Sequence, residues 1–173
     1  MSAPTVLISE AELRTRTEEL GRQIEADYEG KQPLFVGILK GAAMFMMDLI
    51  RTIDLPLAID FMAVSSYGAA TESSGVVRIL KDLDSAIEGR DVLLVEDIVD
   101  SGLTIAYVLD MLRRRGPASL KVCALLVKER AAGAGLKTDY IGFTIPNSFV
   151  IGYGLDFDER YRNLPYLGVL STS

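Results

Sequence analysis

The chain has 173 residues, 49% of them hydrophobic, which is long and apolar enough for one globular domain with a substantial core. Its formal net charge of −6 argues against nucleic acid as a partner, because phosphate backbones favour a basic surface. Charged residues interrupt the apolar stretches well before the ~20 residues of a membrane span. The N-terminus also lacks the features of a signal peptide, so we expect a cytoplasmic protein without membrane contacts.

The predicted elements alternate between helices and strands. Ser9 and Glu12 have the spacing of a capping box, which indicates a helix that begins after Ser9. The elements that follow, in chain order, are a strand at 33–39, a helix at 40–53 that opens at a glycine, strands at 57–66, 76–83 and 91–96, a helix from 101 that stops at 116–117, and strands at 119–128, 139–145 and 149–155, with a short strand near 166–170. Between two of these strands, the small and polar residues 67–75 predict a mobile loop.

This alternation predicts an α/β fold with a mainly parallel central sheet flanked by helices. Sheets of this kind bind ligands at the carboxyl ends of their strands. Five charged residues end or follow predicted strands and should therefore lie near one rim of the sheet: Lys40, Glu96, Asp97, Asp100 and Lys128.

The segment VLLVEDIVDSGLT, residues 92–104, carries the strongest chemical signal. Glu96 and Asp97 end an apolar strand, where buried carboxylates are costly unless a metal ion or hydroxyl donors compensate them. The small residues after Asp100 lead into a helix N-terminus, whose free amides favour a phosphate group. Together these features indicate a site for a phosphorylated sugar with Mg²⁺. The alternative is a solvated strand end at which Asp100 or Ser101 caps the helix.

The residue types that are missing narrow the chemistry further. The chain has no histidine, which excludes histidine-based catalytic triads and zinc sites built on imidazole. Acid–base chemistry must then come from Asp, Glu, Lys or Tyr, and a metal ion would be a hard one bound by oxygen. The single cysteine, Cys123, lies in an apolar run and is expected to be a buried, unreactive thiol.

Residues 92–104 resemble the phosphoribosyl-pyrophosphate (PRPP) binding signature of the type I phosphoribosyltransferases. The rest of the chain is similar to one branch of that family, the hypoxanthine-guanine phosphoribosyltransferases. The segments that carry this similarity are GILKGA at 37–42, SSYG at 65–68, LLVK at 125–128, IGFTIPNSFVIGYGLD at 141–156 and RYRNLPYLG at 160–168. The resemblance covers residues 5–170. It implies a single phosphoribosyltransferase domain with a small hood, built from the N- and C-terminal segments.

The resemblance assigns the PRPP site to one continuous segment. Glu96 and Asp97 match the acids that hold the ribose hydroxyls, partly through Mg²⁺. Asp100 matches the general base or acid near N7 of the purine. The residues that match the 5′-phosphate cradle are Ser101, Gly102, Leu103 and Thr104.

The resemblance also implies a pyrophosphate site on two other segments. Lys40 and Gly41 match the pyrophosphate loop, where the family has a cis peptide bond between the equivalents of Leu39 and Lys40. Arg162 matches a further pyrophosphate contact. Asp156 matches a ligand of a second Mg²⁺ and lies among the purine contacts of the family.

Besides Asp156, the purine contacts implied by the resemblance come from three residues. Lys128 matches the lysine that hydrogen-bonds the 6-oxo group, Phe149 the ring that stacks on the base, and Val150 a source of main-chain contacts. Without the resemblance, Lys128 would be interpreted as a surface lysine and the other two as core residues. Ser66 and Tyr67 match the start of a flexible loop, about 66–76, that closes over the site.

Two other functions fit the same residues. One is a regulatory protein on the same fold that binds PRPP, and the other is an enzyme of this family that prefers xanthine. The resemblance implies a homodimer or homotetramer. The apolar helix at 40–53 could supply an interface, although a core helix explains it equally well.

Overall fold

The computed structural model describes residues 4–66, 77–132 and 135–170. The strands within these residues are β1 (Thr5–Ile8), β2 (Leu34–Leu39), β3 (Ala58–Ser66), β4 (Val77–Lys81), β5 (Asp91–Val99), β6 (Ser119–Lys128), β7 (Tyr140–Ile145), β8 (Val150–Ile151) and β9 (Leu167–Val169). The helices are α1 (Glu10–Asp27), α2 (Ala43–Ile50), α3 (Leu103–Arg113) and α4 (Glu129–Ala132).

A six-stranded sheet in the order β4-β3-β2-β5-β6-β7 forms the centre of the molecule. Its strands are parallel except for β4, which pairs antiparallel with β3 at one edge. Along β5, Leu93 and Val95 pack in one buried cluster with α1 and α2, whereas Val92 and Leu94 pack in another with α3. Because successive side chains point to opposite faces, β5 is apolar on both sides. The predicted α/β class is confirmed, and Cys123 is buried in β6, where burial raises the pKa of its thiol.

A second sheet joins the two ends of the described chain. It has three antiparallel strands in the order β1-β9-β8. The sequence analysis did not predict β1, because this strand has only four residues and its first two, Thr5 and Val6, are exposed.

A local signal sets the start of α1, whereas α2 has no side-chain cap. α1 begins after Ser9 with the complete capping box: Ser9 Oγ accepts a hydrogen bond from the Glu12 amide at 3.3 Å, and the Glu12 carboxylate accepts one from the Ser9 amide at 2.8 Å. α2 begins at Ala43, later than predicted, so Lys40 and Gly41 lie in a turn beyond the end of β2. Within the ranges described above, no helix combines the length and the apolar character needed to cross a membrane.

The end of β5 differs from the prediction. This strand continues to Val99, three residues beyond the predicted end at Glu96, because Ile98 and Val99 pair with Leu126 and Val127 of β6. The two acids therefore lie inside the strand and not at its tip.

The predicted strand at 149–155 is wrong for most of its length. β8 contains only Val150 and Ile151. Gly152, Tyr153 and Gly154 follow with φ angles of 95°, 47° and 101°, which no extended strand can have. The chain turns sharply here and returns toward the rim of the central sheet.

Candidate active site

The carboxylates of Glu96 and Asp97 lie on adjacent residues of β5. Glu96 is only 7% exposed, and one oxygen of Asp97 accepts a hydrogen bond from the Ile98 amide at 2.7 Å. Burial raises the pKa of both groups, and the negative charge of Asp97 raises the pKa of Glu96 further. A bound cation or hydroxyl donors would therefore stabilise the charged form of this pair.

Gly41 brings the turn after β2 against this pair. A Cβ atom at position 41 would lie 1.7 Å from Oδ2 of Asp97, and a Cβ atom on Gly154 would lie 2.2 Å from the carbonyl oxygen of Gly41. Only glycine permits such close approaches. The Leu39–Lys40 peptide bond in this turn is cis, as the resemblance implies.

Lys40 and Arg162 meet at one carboxylate, that of Glu159. Lys40 Nζ is 2.9 Å from Glu159 Oε2, and Arg162 Nη2 is 3.2 Å from Oε1. Arg162 also lies 2.9 Å from Oδ1 of Asp156 and donates a hydrogen bond to the carbonyl of Gly154 at 2.7 Å. Its Nε is buried and has no hydrogen-bond partner among the described residues.

The turn after β5 leads into the N-terminus of α3. Gly102 is the N-cap residue, with a left-handed φ of 81°, so the alternative in which Asp100 or Ser101 caps this helix is wrong. The Leu103 amide donates to Ser101 Oγ at 3.4 Å, and the amides of the first turn have no partner within the helix. A cavity of about 250 Å³ opens here, lined by Glu96, Asp100, Ser101, Gly102 and Thr104 together with apolar residues.

Lys128, at the end of β6, lies beside Asp100. The lysine is only 8% exposed, and its Nζ is 3.2 Å from Oδ2 of Asp100, so it is not a surface lysine. Arg130 of α4 donates from Nε to Oδ1 of Asp100 at 2.7 Å, and its Nη2 also contacts that oxygen. Partial burial would raise the pKa of Asp100, but the hydrogen bonds and charges of Arg130 and Lys128 outweigh burial and hold it below its usual value. Asp100 is therefore held as a carboxylate.

Two of the candidate purine contacts lie at the start of β8. The ring of Phe149 is 54% exposed and packs edge-on against Phe157, with 5.8 Å between the ring centroids. The alternative of a core residue is therefore wrong for Phe149, whereas Val150 is buried in β8 and pairs with Val169. An exposed aromatic face can stack on a flat ring.

The predicted flexible loop is described only at its first residue. Ser66 ends β3. Tyr67 and the rest of the predicted loop lie outside the described residues.

The sequence analysis missed three residues of this site: Arg130, Glu159 and Phe157. Arg130 had a usable signal, since it is a charged residue just beyond the end of a strand, like Lys128. Glu159 and Phe157 had none, because left-handed residues at Asp158 and Glu159 set the path of the chain around them.

The carboxylates fit Mg²⁺ in part. Within the parts of the chain that the structure describes, no three ligand side chains converge on one point. Glu96 and Asp97 supply two carboxylates, whereas both oxygens of Asp156 are engaged, by Arg162 and by the amide of Glu159. Because Mg²⁺ is usually held by one or two carboxylates and by oxygens of a phosphorylated substrate, the pair fits this ion together with an oxygen-rich ligand.

Comparison with known proteins shows which family the chain is similar to. Residues 10–158 match the model of the phosphoribosyl transferase domain. The chain is 55% identical over 165 residues to the bifunctional protein TilS/HprT of Listeria innocua, a match that covers 95% of this chain and 26% of that protein. It is 53% identical over 165 residues to the hypoxanthine-guanine phosphoribosyltransferase of Bacillus subtilis, covering 95% of this chain and 92% of that one. The chain thus spans about a quarter of the first relative's length and nearly all of the second.

A solved structure shows the same architecture. The hypoxanthine phosphoribosyltransferase of Staphylococcus aureus superposes with a TM-score of 0.92 at 50% sequence identity, covering 96% of this chain and 90% of that one.

The buried acid pair predicts a pH-dependent cost to folding. In ligand-free protein with a chelator present, Asp97→Asn should raise the free energy of unfolding at pH 7 by about 1 kcal/mol, because it removes one of two adjacent carboxyl groups whose charged forms are poorly solvated. A carboxyl group whose pKa is raised by folding destabilises the protein above that folded pKa. The gain should therefore shrink as the pH falls and disappear below the unfolded pKa, near 3.9.

Urea unfolding at several pH values measures this difference, and Asp54→Asn, at an exposed residue, is the control. An Asp97→Asn variant that is less stable than the parent at pH 7 would show that the pair does not carry this cost.

Proposed function

The chain belongs to the phosphoribosyltransferase family, and we propose that it is a purine salvage enzyme. It transfers the 5-phosphoribosyl group of PRPP to N9 of hypoxanthine, and also of guanine, and releases pyrophosphate with IMP or GMP. The observation that carries the proposal is the 3.2 Å contact between Lys128 and Asp100. It sets a purine-binding cation beside an acid–base group at the edge of the cavity that Glu96 lines.

The PRPP molecule occupies the rim from α3 to the turn after β2. The 5′-phosphate accepts hydrogen bonds from the amides at the start of α3 and from the hydroxyls of Ser101 and Thr104, where the helix dipole favours an anion. The ribose hydroxyls face the carboxylates of Glu96 and Asp97. These contacts fix the anomeric carbon between the pyrophosphate and the purine.

The departure of pyrophosphate requires positive charge at the leaving oxygens. The ammonium group of Lys40 and the guanidinium of Arg162, which meet at Glu159, supply it from two segments. Mg²⁺ held by Glu96 and Asp97 would neutralise further charge on the ribose and pyrophosphate oxygens. A closed loop beginning at Ser66 and Tyr67 would exclude water, which otherwise hydrolyses PRPP.

The purine lies between Lys128 and the exposed ring of Phe149. The ammonium group of Lys128 only donates hydrogen bonds, so it accepts a 6-oxo group as its partner and rejects the 6-amino group of adenine. Main-chain groups near Val150 and Asp156 contact the other end of the base. The Asp100 carboxylate accepts the proton that the purine ring loses as N9 attacks.

We also propose a location, an oligomeric state and a set of partners for the protein. The proposal includes a cytoplasmic location, a homodimer or homotetramer, and no nucleic-acid or membrane partner. The net charge of −6 supports the absence of a nucleic-acid partner.

The test is pyrophosphate release from PRPP and Mg²⁺ with hypoxanthine, guanine, xanthine or adenine in parallel. We expect turnover with hypoxanthine and guanine and none with adenine. Turnover that is fastest with xanthine would identify the xanthine-preferring enzyme. Binding of PRPP without turnover of any base would identify the regulatory protein instead.

Replacing Asp100 should lower the rate of the chemical step without preventing the binding of PRPP. Asp100→Asn should lower kcat by about 10²- to 10⁴-fold while PRPP still binds, because the amide cannot take up a proton. Steady-state kinetics and PRPP calorimetry measure the two effects. The control is Asp110→Asn on the exposed face of α3, and a kcat near that of the parent would remove Asp100 from its role.

Replacing Lys128 should affect the base alone. Lys128→Met keeps the buried length of the side chain but removes a charged hydrogen bond. The KM for hypoxanthine should therefore rise by about tenfold or more, with an unchanged KM for PRPP. The matched control is Lys137→Met, since the Lys137 side chain is 86% exposed. Equal KM values for hypoxanthine in the parent and Lys128→Met would place Lys128 outside the purine site.

A further inference from the structure

The guanidinium of Arg130 contacts the carboxylate of Asp100, the group on which the proposed proton transfer depends. Its Nε and Nη2 both contact Oδ1 of Asp100, while Lys128 Nζ contacts Oδ2. Both oxygens of the carboxylate are therefore engaged by side chains of the protein itself.

The backbone of Arg130 is anchored, whereas its side chain is not. Ala131, the next residue of α4, is 4% exposed and packs in the hydrophobic cluster beneath α3. The Arg130 amide donates to Oδ1 of Asn147 at 3.4 Å. The Arg130 side chain, in contrast, is 54% exposed. The guanidinium can thus turn into solvent without a movement of the helix.

A bound purine and Arg130 require the same oxygen. In the proposed function a ring nitrogen of the purine shares a proton with Asp100, and Lys128, which contacts Oδ2 in the free protein, binds the 6-oxo group. The remaining oxygen, Oδ1, is the one that Arg130 covers. A guanidinium at this oxygen opposes a proton at the carboxylate, because it favours the charged form.

We infer that Arg130 is a positioning residue that competes with the purine for Asp100 and withdraws when the purine binds. In the free enzyme it orients the carboxylate and compensates its charge. In the complex the purine takes its place at Oδ1. Ion pairs with this exposure are weak, so the exchange is readily reversible. The inference rests on the proposed function, since it assigns Arg130 a role in that same site.

A double-mutant cycle on the binding of IMP tests the competition. The variants are Arg130→Gln, Asp100→Asn and the two combined, with Glu129→Gln, at an exposed residue of the same short helix, as the control. Calorimetry should show that Arg130→Gln lowers the Kd for IMP by about two- to fivefold, the range for a half-exposed ion pair. In the Asp100→Asn background the same change should have no effect, because the competing pair is already lost.

Two further results are expected if the competition is electrostatic. The difference between the parent and Arg130→Gln should decrease as the salt concentration rises, since salt screens exposed pairs. Arg130→Lys should have an intermediate Kd, because lysine keeps the charge but loses the two-nitrogen contact.

A purely structural role for Arg130 predicts the opposite pattern. Arg130→Gln would then weaken IMP binding, and by the same factor in the parent and in the Asp100→Asn background, which would overturn the inference. An unchanged Kd in both backgrounds would overturn it as well and would leave the pair as a surface contact. If the parent protein neither binds IMP nor turns over any base, the proposed function fails, and the inference fails with it.

Discussion

The adjacent carboxyl groups of Glu96, which is buried, and Asp97, which is partly buried, are the constraint on which the arrangement of the rim depends. Two ionisable groups follow four fully buried apolar residues in the central strand, and burial opposes the charge of both. The positive charges or hydrogen-bond donors that stabilise these carboxylates have to come from other segments. The parallel topology supplies them, because it brings the turn after β2, the start of α3 and the segment around Arg162 to the same edge of the sheet.

Most of the fold could be predicted from local patterns. Apolar runs of six to ten residues and a capping box act over a few neighbouring residues, and the structure keeps them as strands and as the start of α1. The prediction failed where the backbone is irregular. The apolar residues at 149–155 look like a strand, but left-handed conformations at Gly152, Tyr153 and Gly154 turn the chain after two paired residues.

The parts of the site that are contiguous in the sequence could be predicted, whereas the parts that come from distant segments could not. Residues 96–104 carry their chemistry in one segment, so the pattern alone indicated a phosphate and a sugar. Lys128 and Phe149 required the resemblance, because a single lysine or phenylalanine has no distinctive spacing. The ion pair of Arg130 with Asp100 joins residues 30 positions apart, and no sequence pattern encodes such a pair. Pairs of this kind emerge only when the sheet sets β5 beside β6.

The glycine contacts at the rim have a mechanical consequence. The backbone of Gly154 packs closely against the carbonyl oxygen of Gly41. The backbone of Gly41 packs in turn against the carboxylate of Asp97. Three segments that are far apart in the sequence therefore form one rigid stack. A shift of the segment after β8 toward the turn after β2 would displace Gly41. Gly41 would in turn displace the carboxylate of Asp97. The segment after β8 and the Asp97 carboxylate are thus linked by steric contact through Gly41.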